Sequence, residues 1–202
     1  MLPKATGEDR REQLLRCAKM VFAQRGYHAA SVADIIDAAD VARGTFYLYF
    51  DGKRQIFDVI LDDLLASIGQ QIEVIEISPL MPAPLEQLRA NLERVLALVL
   101  SDRDLVVILL HQAQGLDGDC QDKLEQFYQS ILVLIESALR MGMSMGLVRT
   151  CDPRLAAAAI LGAGQGIVAL ATRMQPTPAV KSIADQMLDI ALYGLLKPLP
   201  RS

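Results

Sequence analysis

Apolar residues recur along this chain at helical spacing, stripe after stripe, and each stripe is closed off by Gly, Pro or a capping residue. Leu14, Ala18, Val21 and Phe22 share one face of a segment from about Thr6, its candidate N-cap, to Arg25, where Gly26 stops it. Ser31 introduces Val32, Ile35, Ile36 and Ala39, the i, i+3, i+4, i+7 pattern of a helix too short to stand alone. Asp40 and Val41 make a tight turn into a second short helix from about Ala42 to Leu48. Asp51 then opens a long helix carrying Ile56, Ile60, Leu64, Ile68 and Ile72 toward Glu76. The Pro-rich stretch Ser78 to Pro84 reads as a loop.

Further helices are expected over Leu85 to Val99, Asp104 to Gln114 and the stripe Leu124, Phe127, Tyr128, Ile131, Ile135 and Ala138. Asp152 with Pro153 forms an N-cap and N1 pair, and Thr177 with Pro178 is expected to open the last helix in the same way. About nine helices and no strand follow, so the predicted fold is all-α. The absence of Trp and the dominance of Leu, Ala, Ile and Val agree with helices packed on helices.

Charge is unevenly placed. The whole chain has a formal charge of −4, yet residues 1–55 carry nine Lys or Arg against seven acids. A basic head on an acidic body keeps a polyanion in play as a partner, because local field matters more than net charge. Three scattered cysteines and two histidines offer neither a disulfide framework nor a metal site. No P-loop, dinucleotide fingerprint or nucleophile elbow occurs, so neither a cofactor nor an enzymatic activity is expected. The first residues show no apolar signal region, which predicts a cytoplasmic protein.

One stretch, Leu155 to Thr172, approaches the length of a membrane span. It is diluted by Ala and Gly, contains Gln165 and is flanked by Arg154 and Arg173, so it reads as a helix buried partly by another subunit.

Two short helices joined by a tight turn and supported by a preceding helix describe a helix-turn-helix, whose second helix enters the DNA major groove. Arg43 stands near its start, suited to guanine or phosphate. Gly44 lets the backbone come close, and Thr45 and Tyr47 bring hydroxyls for phosphates. Phe46 and Phe50 are expected to pack inward.

The run Ser31 to Phe57 closely resembles the DNA-binding signature of the TetR family of bacterial transcriptional regulators. Ser31, Ile35, Ala39, Val41, Arg43, Gly44, Thr45, Phe46, Tyr47, Tyr49, Phe50 and Lys53 occupy the signature's places. Four positions depart from it: Ile36 stands for the usual Ala, Asp40 for Gly at a turn that favours a left-handed residue, Ala42 for Ser, and Leu48 for a polar residue or His. The DNA-binding set is therefore expected to be Ser31, Ala42, Arg43, Gly44, Thr45, Tyr47, Leu48, Tyr49 and Lys53.

The resemblance implies a three-helix DNA-binding domain over residues 1–53 and a helical ligand-binding and dimerisation domain over residues 54–202. It further implies a homodimer formed through the last two helices, a palindromic operator and a repressor released by a small effector. For that effector an apolar or amphipathic molecule is expected, and His111, Gln114, Tyr128, Met141 and Gln165 are the candidate contacts. A helical small-molecule-binding or enzymatic bundle and a sequence-neutral DNA architectural protein are the alternatives.

Overall fold

In the computed structural model, residues 7–111 and 118–193 are described, and among them nine α-helices and no strand are found. The helices are α1 (Gly7–Arg25), α2 (Val32–Ala39), α3 (Arg43–Tyr47), α4 (Lys53–Gln71), α5 (Pro84–Ser101), α6 (Arg103–His111), α7 (Gly118–Ser144), α8 (Pro153–Ala171) and α9 (Val180–Tyr193). The expected N-cap Thr6 lies outside the described residues.

Packing divides the chain into two units, Met1–Ala66 with Asp102–Ser130 and Ser67–Ser101 with Ile131–Ser202. In the first unit, α6 and the start of α7 pack with the N-terminal helices. Lys19 of α1 pairs with Asp102, and Asp102 also accepts the Leu105 N–H at the start of α6.

The first unit has an aromatic and aliphatic core. Leu14, Ala18 and Phe22 of α1, Ile35 of α2, Phe46 of α3, and Ile56 and Phe57 of α4 are all fully buried. Phe22, Tyr27 and Phe57 meet in tilted and edge-on contacts 5.1–6.1 Å between centroids, the arrangement favoured by ring quadrupoles. Gly26, at φ 78°, reverses the chain after α1 and donates to the Phe22 carbonyl at 2.9 Å, the left-handed stop expected there.

In the second unit, α5 packs on α9 and α9 on α8. Leu96, Ala171, Ile183 and Ala184 form a small core, and Arg89 of α5 pairs with Asp185 of α9 beside it. Asp152 caps α8 by accepting the Arg154 and Leu155 N–H groups at 2.9 and 3.0 Å, with Pro153 in the first turn. Thr177 and Pro178 do not play the matching part for α9, which begins at Val180, with the Ile183 N–H bonded to the Ala179 carbonyl.

Helix α4 also ends earlier than the apolar stripe predicts, at Gln71 rather than near Glu76. Three side chains of α5, one turn apart, explain the difference. Asn91 binds both the N–H and the C=O of Glu73, Gln87 does the same for Glu76, and Arg94 donates to the Gln71 carbonyl. Backbone groups captured this way need no helix to satisfy them.

Candidate nucleic-acid interface

Helix α2 is held at both ends. Ser31 caps its start in a reciprocal box: the Ser31 hydroxyl accepts the Asp34 N–H at 3.2 Å and donates to Asp34 Oδ2 at 2.7 Å, and the Ser31 N–H donates to the same oxygen at 2.8 Å. These bonds, with Arg25 2.5 Å away, hold the Asp34 carboxyl below its usual range. At the other end, Gln13 of α1 donates to the Ala39 carbonyl at 2.7 Å and the Cys17 thiol to the Ala38 carbonyl at 3.4 Å. Partial burial pushes that thiol's pKa up, against the opposing pull of Arg16.

Asp40 then takes the left-handed conformation, φ 50° and ψ 53°, as its place in the turn requires. The turn delivers α3, which is anchored by Phe46 and Phe50; both are buried, as expected. With these two rings held inward, the opposite side of α3 must face out. Ala42, Arg43, Gly44, Tyr47 and Leu48 are exposed, and Thr45 and Tyr49 are half-buried.

Arg43 lies over the Tyr47 ring, its guanidinium carbon 5.8 Å from the centroid. Its isolation from anions sets it apart. Arg11, Arg16, Lys19, Arg25 and Arg54 each pair with a carboxylate, Arg10 donates to Gln13, and Lys53 is bound to carbonyls. Among the described cations of residues 7–55, Arg43 alone makes no hydrogen bond or ion pair. Ala42 leaves the start of α3 without a side-chain cap, and a methyl group added at Gly44 would meet nothing within 4 Å.

Three of the expected contacts are placed differently from the rest. Lys53 turns inward: its ammonium donates to the carbonyls of Tyr27, His28 and Ala30 at 2.7, 3.4 and 3.0 Å and sits 4.2 Å from the centroid of the Tyr27 ring. All three of its hydrogens are thus committed to the turn before α2. The Ser31 hydrogens are likewise spent on Asp34. The Tyr49 hydroxyl lies beside Gly7 at the start of α1, 3.5 Å from where a Cβ would stand. Asp34, Gln13 and Cys17 support the site without belonging to the expected set. For Asp34 the Ser-x-x-Asp spacing is the available signal, and for the other two only the packing of α1 on α2 reveals the role.

Three of the five effector candidates have described side chains, and these three divide between the two units. Gln114 and the His111 side chain lie outside the described residues. Tyr128, in the first unit, spends its hydroxyl on the Leu109 carbonyl at 2.8 Å, whereas Met141 and Gln165 belong to the second. Met141 is exposed, in a helix end closed by Gly142, whose carbonyl takes the Leu147 and Val148 N–H groups. Among the described residues no group of three potential ligands could hold a metal ion.

Helix α8 is long and apolar enough to cross a membrane by length and composition, and little of it is buried within the chain. Leu155, Gly162, Gly166 and Leu170 are exposed on one face, and a methyl group at either glycine would meet nothing within 4 Å. Gly164, on the other side, would instead touch Met187 of α9.

Residues 14–60 match the family model described as bacterial regulatory proteins, tetR family, and residues 82–195 match the tetracyclin repressor-like C-terminal domain. The chain is 29% identical over 157 residues to YhgD, an HTH-type transcriptional regulator of Bacillus subtilis, covering 76% of this chain and 79% of that one. It is 24% identical over 185 residues to the fatty acid metabolism regulator protein of Bacillus subtilis, covering 91% and 94%. The crystal structure of FadR from Bacillus subtilis in complex with stearoyl-CoA superposes with a TM-score of 0.77 at 22% identity, over 92% of this chain and 99% of that one.

Proposed function

This chain belongs to the tetR family of bacterial regulatory proteins and is a DNA-binding transcriptional regulator, and we propose that it is a repressor released from a palindromic operator by a small amphipathic effector. Arg43 carries the reading. It stands at the first position of α3, exposed, free of any anion among the described residues and steadied by the Tyr47 ring, so it offers an unspent guanidinium to a guanine edge or a phosphate. Tyr47, Thr45, Gly44, Ala42 and Leu48 complete the surface presented to DNA, with Tyr49 at its border.

The working form is a cytoplasmic homodimer joined through α8 and α9. A second copy explains why α8 exposes an apolar face whose two glycines have nothing of their own chain to accommodate. Residues 1–53 form the reading head of each protomer, and residues 54–202 serve effector and partner. The likeness to a fatty acid metabolism regulator, and to a fold solved with stearoyl-CoA, supports an acyl-CoA as the effector. It releases DNA by binding more tightly to an arrangement of the two heads that does not fit the operator.

Selection of bound sequences from random DNA at fixed salt, repeated with stearoyl-CoA and with a short-chain acyl-CoA, tests this. One palindromic site, lost on adding an acyl-CoA, is the expected result. Retention of DNA with a steep salt slope and no preferred sequence would overturn it in favour of an architectural protein. No retention even at low salt would leave a helical small-molecule-binding bundle.

A further inference from the structure

Helix α3 presents two parallel stripes of different chemistry. Arg43 and Tyr47, four residues apart, form the polar one. Gly44 and Leu48, also four apart, form the other, and it contains no hydrogen-bonding side chain. Leu48 continues the helix, with φ −73° and ψ −21° and its N–H bonded to the Thr45 carbonyl, so its side chain is aimed by the helix and not by a loop. It is 80% exposed, against 45% for Tyr47, and no other large apolar residue described in the head is as open.

No packing among the described residues explains this leucine. It does not fill the core that Phe46 and Phe50 close, and it stands at the end of the helix that Arg43 begins, on the surface assigned above to DNA. In the major groove the bases present donors, acceptors and a single kind of apolar group, the C5-methyl of thymine. Only that group rewards an isobutyl side chain with burial. Gly44, where an added Cβ would meet nothing within 4 Å, lets the backbone one turn earlier approach closely enough for Leu48 to reach a base edge.

We propose that Leu48 is a specificity-determining residue that selects a thymine in each operator half-site through its C5-methyl group. The inference rests on the DNA-reading function proposed above and adds to it the base and the atom recognised.

Replacing thymine with deoxyuridine removes the methyl and leaves every hydrogen-bonding group in place. In the operator selected from random DNA, each thymine of a half-site is replaced in turn, together with its symmetry mate, and binding is measured for the full-length chain and for Leu48→Ala. One position is expected at which the unmodified protein loses about four- to tenfold in affinity per half-site, the worth of one buried methyl-sized contact. Leu48→Ala should bind thymine and uracil equally there while keeping the unmodified protein's helical circular dichroism, since the side chain supports no packing. Equal binding of both operators by the unmodified protein, or an undiminished thymine preference in Leu48→Ala, overturns the assignment. A protein that retains no preferred sequence from the random pool overturns the parent reading together with it.

Discussion

The Lys53 ammonium lies over the ring of Tyr27, 4.2 Å from its centroid, and donates to the carbonyl of that same residue at 2.7 Å. One side chain from the first turn of α4 therefore closes the turn that launches α2. Replacing Lys53 with Met keeps much of the stem and removes all three donors. The expected cost is about 1–3 kcal/mol in denaturant unfolding, set by the charged hydrogen bonds lost. Unfolding unchanged within error would show that these bonds do not hold the turn.

Arg43→Ala should weaken operator binding by about 1–3 kcal/mol while leaving the melting temperature unaltered, because Arg43 binds nothing else in the described chain that folding depends on. Arg43→Lys should recover only part of the loss if the contact is bidentate. Titration of a labelled operator at a single salt concentration decides it.

At the α8 face, Leu170→Asp and Gly162→Leu are predicted to shift the protein toward monomer in sedimentation velocity at micromolar concentration. The first places a charge on the apolar face, and the second adds bulk at an open position. Gly164→Ala, which would meet Met187 within its own chain, serves as the control that perturbs the other side. Monomeric protein without any substitution would remove the dimer from the proposal.

Asn91 and Gln87 make the same pair of bonds to Glu73 and Glu76, but Asn91 is buried and Gln87 only half-buried. Asn91→Ala should cost about 1–3 kcal/mol, the range for stranding buried polar groups, and Gln87→Ala markedly less, since water replaces its bonds. Equal effects from the two would contradict burial as the cause.

Acid should loosen α2 late. The Asp34 carboxyl is held below its usual value of 3.8 by its bonds to Ser31, so its contribution is complete above that value and fades only as pH falls through the lowered one. Asp34→Asn should therefore lower stability at neutral pH and flatten the stability profile below about pH 4. A variant whose acid profile overlays that of the unaltered protein would show that Asp34 does not govern it.

Much of the reading head is legible in the amino-acid sequence. The stripe from Val32 to Ala39, the turn at Asp40 and the inward Phe46 and Phe50 all rest on local spacing, and local spacing is what an i to i+4 helix obeys. Ser31 announces a helix start, and its partner Asp34 lies only three residues on, within reach of the same local logic although outside the expected set. The end of α4 is hidden for a different reason. Ile72 continues an apolar stripe, and nothing nearby in sequence announces that Gln87 and Asn91, more than ten residues later, hold the backbone of Glu73 and Glu76 outside the helix.

Local spacing alone makes legible the order of the helices, the helix-turn-helix and the division of α3 into a buried aromatic side and an exposed side, since each depends on residues within a turn or two of one another. Which charges remain available depends on packing between elements distant in sequence. Arg43 and Lys53 look alike as letters near a recognition helix, but a long cationic side chain settles wherever the fold offers it acceptors. Three backbone carbonyls stand within reach of Lys53, and none binds Arg43.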